Sequence, residues 1–173
     1  MFKVISTVKA PAAIGPYSQA IVAGDFLFAS GQIPINPANG AIEAEGIEAQ
    51  TEQVMKNIGA ILAEAGTDYT HVVKTTCFLD DMGDFAAFNA VYEKYFTGKP
   101  ARSCVAVKKL PKDVLCEVEA VAYLGESSYE KSDTDWHARR RKKHGRCRAC
   151  KAAGISFRGF RSGHSGANRT FTA

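Results

Sequence analysis

The residues best suited to chemistry lie in one stretch, residues 100–124, which places an arginine and two glutamates on two short apolar segments. Arg102 can hold an anion through two parallel N–H···O bonds, because its guanidinium is planar and always charged. Glu117 and Glu119 are two residues apart, the spacing at which a strand puts both side chains on one face. These residue types therefore suit a site in which a charged arginine and a carboxylate lie close together.

The two segments that carry these residues both alternate as strands do. Residues 102–107 put Arg102 and Cys104 on one face, and residues 116–123 put Glu117 and Glu119 on the face opposite small apolar residues. Residues 108–114 contain a Leu-Pro-Lys-Asp turn signal. We therefore predict a hairpin that brings an arginine and a glutamate close together.

Charged residues on strands usually face water, so a solvated sheet edge is an alternative interpretation of this hairpin. Val121 and Tyr123 share a face with the two glutamates, however. Apolar residues on that face favour a surface that is partly covered, for example by another subunit. A charge in a covered place needs a partner.

Charge divides the chain into two unlike parts. Residues 1–124 hold 10 Lys+Arg and 14 Asp+Glu, a net charge of −4, whereas residues 125–173 hold 12 and 4, a net charge of +8. Apolar periodicity is confined to the first part, which predicts one domain over residues 1–124.

No stretch has the about 20 apolar residues of a membrane span, and the N-terminus lacks the apolar core of a signal peptide. We expect a cytoplasmic protein with reduced thiols, since its five cysteines are scattered.

The remaining patterns predict an α+β fold. Helices are expected over residues 46–65, which end at Gly66, and over residues 83–96. Strands are expected over residues 2–7, 18–23, 26–30, 71–79, 102–107 and 116–123. The order is β-β-β-α-β-α-β-β, with both helices on one face of the sheet. The other face is large for so small a domain, which predicts a homo-oligomer that buries it.

Two loops have informative sequences, and the second is a candidate for binding. Tyr17 follows a segment whose two prolines exclude helix. Gly31 follows a predicted strand, where a glycine permits close approach of the backbone to a ligand. A strand-ending turn is the alternative interpretation of Gly31.

Six motifs lie in order along residues 1–124: Ile14-Gly15-Pro16-Tyr17-Ser18-Gln19-Ala20, Ala29-Ser30-Gly31-Gln32-Ile33-Pro34, Val73-Lys74-Thr75-Thr76, Asp84-Phe85 with Asn89 and Tyr92, Pro100-Ala101-Arg102-Ser103 and Glu117-Val118-Glu119-Ala120. Together they resemble the Rid family of reactive intermediate deaminases, also called YjgF, and its 2-iminobutanoate/2-iminopropanoate deaminase branch in particular. The resemblance implies a chorismate-mutase-like fold, a homotrimer whose sheets form a central barrel, and active sites in the clefts between subunits. It also implies that no metal or organic cofactor is needed.

The same resemblance assigns roles to residues. Arg102 would hold the carboxylate of an imino acid, and Glu117 would position or activate the attacking water, with Glu119 as the second choice. Hydrolysis of an already activated imine needs no covalent step, so we do not expect the Cys104 thiol to be required. The expected substrate contacts are Tyr17, Ser30, Gly31 and the backbone at Cys104, with Asn89 and Tyr92 as further candidates.

The segment 125–173 departs from the family, whose members end soon after the final strand. The segment has a low apolar content and many Arg, Gly, Ser and Ala residues, a composition typical of disorder. The basic run at residues 139–143 is the part of the chain that could bind nucleic acid. Cys147 and Cys150 form a C-x-x-C motif, but no second paired set follows it, so we predict no metal site.

Two other classes of function stay open at this point. Some members of the family are described as translation inhibitors or ribonucleases, and the basic tail is compatible with RNA binding. The acidic charge of residues 1–124, which lack an aromatic-plus-basic strand platform, disfavours this alternative. The other class is a holdase-like interaction protein that uses the oligomer surface and does not depend on Arg102.

Overall fold

The computed structural model describes residues 2–125, which form a six-stranded sheet with two α-helices packed on one face. The predicted α+β class and the order β-β-β-α-β-α-β-β are confirmed. The basic tail lies, from residue 126 onward, outside the described residues. The strands are β1 (Lys3–Ile5), β2 (Ala20–Ala23), β3 (Phe26–Gln32), β4 (Val72–Leu79), β5 (Ala101–Ala106) and β6 (Cys116–Tyr123), and the helices are α1 (Gly46–Glu64) and α2 (Phe85–Tyr95).

The strand order is β1-β2-β3-β6-β4-β5, and the predicted hairpin between β5 and β6 is wrong because β4 lies between them. β4 and β5 are parallel, whereas β4 and β6 are antiparallel. A parallel pair needs a crossover, here α2, which leaves the other edge of β4 free for β6. The connection from β5 to β6 therefore passes the end of β4, where Val107 N donates to Leu79 O at 2.9 Å and Asp80 N donates to Leu115 O at 3.0 Å.

Helix α1 covers the sheet with the apolar stripe that its sequence predicts. Val54, Ile58 and Ile61 are fully buried, as expected for positions that recur on one helical face. The helix ends where predicted, because Gly66 adopts φ +79°, a left-handed conformation that glycine enters without steric cost. Thr67 N then donates to Leu62 O at 3.0 Å, which satisfies a carbonyl of the last turn.

Helix α2 begins two residues later than predicted, because a 3₁₀ turn over Met82–Asp84 precedes it. The Asp81 carboxylate accepts a hydrogen bond from Gly83 N at 2.6 Å and caps that turn. Phe85, Asn89 and Tyr92 follow at helical spacing and share one face of α2. This spacing directs all three residues toward the edge strand β5.

The sheet face away from the helices carries a row of apolar side chains that no described element covers. Val4, Ile21, Phe28 and Val121 are successive partners across β1, β2, β3 and β6, so their side chains project from the same face. Val4 is 59% exposed and Phe28 is 49% exposed. The described chain thus leaves a continuous apolar strip open. Neither described helix is long and apolar enough to cross a membrane.

Candidate functional site

A bulge in β3 places two of the predicted site residues. The register between β3 and β6 shifts between Ala29 and Gln32, so Ser30 and Gly31 depart from regular pairing. Bulges re-aim side chains and are frequent beside active sites. The Ser30 hydroxyl donates to Ser18 O at 2.7 Å, and Ser30 N donates to the Gln19 carbonyl at 3.0 Å. These bonds join the bulge to the loop that carries Tyr17.

That loop is held in place by the buried side chain of Gln19, which is 4% exposed. Its amide nitrogen donates to the carbonyls of Thr7, Ala10 and Pro11, and its side-chain oxygen accepts from Thr7 N at 2.7 Å. A single glutamine thereby satisfies several loop backbone groups that no strand pairs with. The loop that presents Tyr17 is consequently fixed against the sheet.

Beside the bulge lies a cleft of about 350 Å³, here called the glutamate cleft. It brings together four of the predicted site residues, Tyr17, Ser30, Gly31 and Glu117. A Cβ atom at Gly31 would lie 1.9 Å from Glu117 Oε1, so the carboxyl group occupies the space that any larger residue would fill. The lining residues are Ile14, Tyr17, Ser30, Gly31, Ile33, Pro111, Glu117 and Glu119.

The cleft perturbs the acidity of Glu117. Burial raises the pKa of its carboxyl group above the ordinary value, and the neighbouring charge of Glu119 raises that pKa further. Glu117 is half-buried, whereas Glu119 is exposed. A raised pKa makes proton exchange by Glu117 easier near neutral pH, as a general acid or base requires.

A second group of predicted residues surrounds Arg102 and is here called the arginine cluster: Arg102, Phe85, Asn89, Tyr92 and Cys104. The guanidinium carbon lies 4.8 Å from the ring centroid of Tyr92 and 5.4 Å from that of Phe85. Arg102 Nη1 donates to Asn89 Oδ1 at 2.7 Å. Within residues 2–125, no carboxylate ion-pairs with Arg102. A positioned guanidinium of this kind is suited to an external anion.

Helix α2 positions the arginine cluster through a buried hydrogen bond to the sheet. The Tyr92 and Thr75 hydroxyls are 2.6 Å apart, and Thr75 is the β4 partner of Arg102. Tyr92 thus contacts both the guanidinium and the strand beside it. Burial raises the pKa of Tyr92, so its hydroxyl keeps its proton for this bond.

Cys104 lies on the same face of β5 as Arg102 and packs partly against the core. Burial raises the pKa of its thiol, although the Arg102 charge opposes that shift. A raised pKa reduces the thiolate fraction at neutral pH, which disfavours a nucleophilic role. The expectation that chemistry does not require this thiol agrees with this environment and stays a prediction.

The glutamate cleft and the arginine cluster lie on opposite faces of one sheet, so the expected closeness of Arg102 and Glu117 does not occur within one chain. Arg102 pairs with buried Thr75 on the helix side, whereas Glu117 pairs with Phe78 on the other side. Their strands are also separated by β4, two strand spacings or about 10 Å. Each chain therefore presents the arginine cluster and the glutamate cleft on faces that point different ways.

Sequence reasoning missed several members of these two groups. Phe85 appears in the sequence only as part of a motif and was not named as a site residue, although its spacing from Asn89 and Tyr92 puts it on the same helical face. Ile14, Ile33 and Pro111 line the glutamate cleft. No sequence pattern marked Pro111 as a cleft residue, because its position depends on how the connection from β5 to β6 passes the end of β4.

The described residues 2–125 contain no group of three or more His, Cys, Asp or Glu side chains placed to hold a metal ion. The C-x-x-C motif at Cys147 and Cys150 lies outside the described residues.

Similarity to known proteins agrees with this geometry. The family model described as Endoribonuclease L-PSP matches residues 7–124. A 2-iminobutanoate/2-iminopropanoate deaminase from Salmonella typhimurium is 50% identical over 126 residues, which cover 70% of this chain and 98% of the relative.

Two solved structures illustrate the likeness of the folds. YyfA from Yersinia pestis, described as a member of the conserved Rid protein family, has a TM-score of 0.69 and 50% identity and covers 71% of this chain and 99% of its own. TdcF from E. coli, solved with bound serine, has a TM-score of 0.68 and 42% sequence identity. The match covers 71% of this chain and 99% of the TdcF chain.

Two helices packed on a six-stranded sheet, with a bulged strand beside an acidic cleft, define a small α+β domain. The chain belongs to the Endoribonuclease L-PSP family, the family of the YjgF and Rid proteins. Because a relative at 50% identity is a named deaminase, membership supports enzymatic activity in general.

Proposed function

We propose that this protein is an imine deaminase that hydrolyses 2-iminobutanoate and 2-iminopropanoate to 2-oxo acids and ammonia without a metal or organic cofactor. The observation that carries the proposal is the Glu117 carboxyl, which packs against Gly31 in a cleft that raises its pKa. The deaminase relative from Salmonella typhimurium supports the choice of substrate.

Arg102 binds the substrate carboxylate in this proposal. The rings of Phe85 and Tyr92 and the oxygen of Asn89 hold the guanidinium, and no described carboxylate neutralises it. Two parallel N–H···O bonds would fix the orientation of the anion as well as attract it. Orientation of the C=N bond relative to water is a large part of the catalytic effect.

Glu117 acts on water and then on the leaving group. Its carboxylate accepts a proton from water as the water oxygen bonds to the imine carbon and the C=N π bond breaks, and the nitrogen takes a proton from solvent, which gives a carbinolamine and protonated Glu117. Glu117 then returns its proton to the amino group, the hydroxyl releases its proton to solvent as the C=O bond forms, and the C–N bond breaks to release ammonia. One water is consumed for each imine hydrolysed.

Arg102 and Glu117 must contact the same substrate molecule, and we propose that two copies of the chain supply them. The arginine cluster and the glutamate cleft face different ways in one chain, and the apolar strip at Val4, Ile21, Phe28 and Val121 has no cover within the described chain. Packing of these faces in a homotrimer would bury the strip and bring Arg102 of one copy toward Glu117 of the next. Tyr17, Ser30, Gly31 and the backbone at Cys104 are the proposed substrate contacts, whereas Asn89 and Tyr92 contact Arg102.

The test generates 2-iminobutanoate in the cuvette with an amino-acid lyase and follows its disappearance. Arg102→Ala is expected to lower kcat/KM by about a hundredfold or more, because loss of a desolvated charge contact costs about 3–5 kcal/mol. Glu117→Gln is expected to lower kcat while the protein stays folded. Lys56→Ala removes an exposed cation on α1 and serves as the matched control. Hydrolysis at the spontaneous rate by wild type would reject the proposal.

RNA cleavage, which the family name Endoribonuclease L-PSP suggests, is the second candidate. Residues 1–124 carry a net charge of −4, which repels phosphates, and the basic run at residues 139–143 lies in the tail. RNA binding that disappears at moderate salt and on removal of the tail would favour this candidate. A holdase-like activity would instead persist in Arg102→Ala.

A further inference from the structure

Two cysteines face each other across neighbouring strands beside the arginine cluster. Cys77 on β4 is the Cα partner of Cys104 on β5, and paired residues of neighbouring strands project from the same face. Both side chains pack into the core on the helix side of the sheet, so the two thiols lie side by side. The proposed hydrolysis uses neither thiol.

The placement of the pair suits bond formation between the two sulfur atoms. Strand partners have Cα atoms about 4.8 Å apart, inside the range of about 4.4–6.8 Å that disulfides span. Cys77 is fully buried, whereas Cys104 is only partly buried and can meet a small reagent. The two thiols therefore differ in access, as a reacting and a resolving cysteine do.

Arg102 adds a favourable charge. It lies two residues before Cys104 on the same face of β5, and its positive charge lowers the pKa of both thiols, although burial is the larger influence and raises both pKa values. The pKa of Cys77 is raised to about 12, so Cys104 is the better source of thiolate. Reaction with an oxidant is accordingly faster at alkaline pH, where more thiolate is present.

We propose that Cys77 and Cys104 form a modification site at which a hydroperoxide produces a cross-strand disulfide, and that this bond slows imine hydrolysis by displacing Arg102. The effect on hydrolysis rests on the proposed function, whereas formation of the bond does not.

The chemistry balances in two steps. The Cys104 thiolate attacks the terminal oxygen of the hydroperoxide, the O–O bond breaks, and the alkoxide that leaves takes up a proton, which gives Cys104 sulfenic acid. The Cys77 sulfur then attacks the sulfenic sulfur, the S–O bond breaks, and hydroxide leaves as water with the Cys77 proton. Two thiols are oxidised while one hydroperoxide is reduced to an alcohol and water.

The bond would act on Arg102 through β5. Two unbonded sulfur atoms on neighbouring strands must approach to about 2 Å in a disulfide, which pulls on the strand and its side chains. Arg102 lies on that strand and is held by contacts to Phe85, Tyr92 and Asn89 that depend on its position. Displacement of about 1 Å is enough to reduce catalysis strongly.

The test treats the full chain with hydrogen peroxide, then blocks remaining thiols and digests with trypsin. Cys147 and Cys150 are replaced by serine in every protein, so that their thiols do not complicate the result. The expected product is a cross-linked pair of peptides, residues 75–94 and residues 103–108, lighter by two hydrogens than the sum of the free peptides. Dithiothreitol is expected to separate them.

The second readout is imine hydrolysis. Peroxide is expected to lower kcat/KM by about tenfold or more, reversibly with dithiothreitol. Cys77→Val removes the resolving thiol but keeps an apolar side chain, so this reversible loss should disappear. Cys116→Ser is the matched control, because Cys116 is buried beside Thr51 and its strand partner is Leu79.

Absence of the cross-linked peptides would overturn the proposal, whether or not the protein hydrolyses imines. Equal peroxide sensitivity of wild type and Cys77→Val would overturn it too, since the loss of activity would then have another cause. If the cross-link forms in a protein without measurable imine hydrolysis, the modification site stands and the proposed function fails.

Discussion

A Cβ atom built on Gly31 would overlap the carboxyl group of Glu117, at 1.9 Å from Oε1, 2.8 Å from Cδ and 3.1 Å from Cγ. The backbone of the β3 bulge and the acidic side chain on β6 thus share one tightly filled space. Real Cβ atoms do not approach other atoms this closely, so position 31 admits glycine alone while Glu117 keeps its present conformation. Close approach of the Gly31 backbone to a ligand stays a prediction, and within one chain the neighbour of Gly31 is Glu117.

The first prediction follows from this overlap. Gly31→Ala should lower kcat/KM for 2-iminobutanoate by about tenfold to a hundredfold, because Glu117 must swing away from the position where it meets water. Gly98→Ala is the matched control, since a Cβ there would meet Thr70 O at an ordinary 3.7 Å. Equal rates for the two variants would show that the present Glu117 conformation does not matter for activity.

The second prediction concerns pH. Glu117 must be ionised to accept a proton from water, so kcat/KM should fall as the pH drops through its raised pKa. Glu119→Gln removes the charge that contributes to the shift, so the pKa of Glu117 should fall and the acid limb of the profile should move to lower pH.

Glu93→Gln, which changes an exposed carboxylate on α2, should leave this profile in place. A pH profile that is identical in wild type and Glu119→Gln would contradict the coupling of the two glutamates.

The third prediction concerns the apolar strip of Val4, Ile21, Phe28 and Val121. Phe28→Asp should convert a trimer into single chains in sedimentation equilibrium, because a buried charge without a partner is strongly unfavourable at an interface. It should also abolish imine hydrolysis, since each proposed site needs two copies. Ala63→Asp places the same charge on the exposed surface of α1 and should leave the mass unchanged. A trimer of unchanged mass in Phe28→Asp would argue against this strip as the interface.

The fourth prediction concerns the basic C-terminal segment. A chain that ends at Leu124 should keep the melting temperature and the rate of imine hydrolysis of the full protein. Leu124 N donates to Asp25 O at 2.7 Å, and the leucine packs partly against the core, so the final hydrogen bond of the sheet region is retained. A large loss of activity on this truncation would assign residues 125–173 a part in catalysis.

Local patterns in the sequence were enough to predict the helices and strands and which face of each is buried. The α1 stripe at Val54, Ile58 and Ile61 and the alternation along β6 report burial directly, because side-chain direction repeats every 3.6 residues in a helix and every second residue in a strand. The motif that contains Ser30 and Gly31 likewise marked a feature that is local, a bulge at the end of a strand. The site residues Ser30, Gly31 and Glu117 could therefore be named from the sequence, whereas Ile14, Ile33 and Pro111, which also line the glutamate cleft, could not.

Tertiary structure alone decided which strands are neighbours, and hence that Arg102 and Glu117 lie on opposite faces of the sheet. Alternation places Arg102 and Glu117 on faces of their own strands, but it does not say that β4 separates β5 from β6 or relate one face to the other. The parallel crossover through α2 settles this relation, because it fixes β5 at the outer edge and puts the side chain of Arg102 under the helix. The partnership of Cys77 with Cys104 arises in the same way, from the pairing of strands that are distant in sequence.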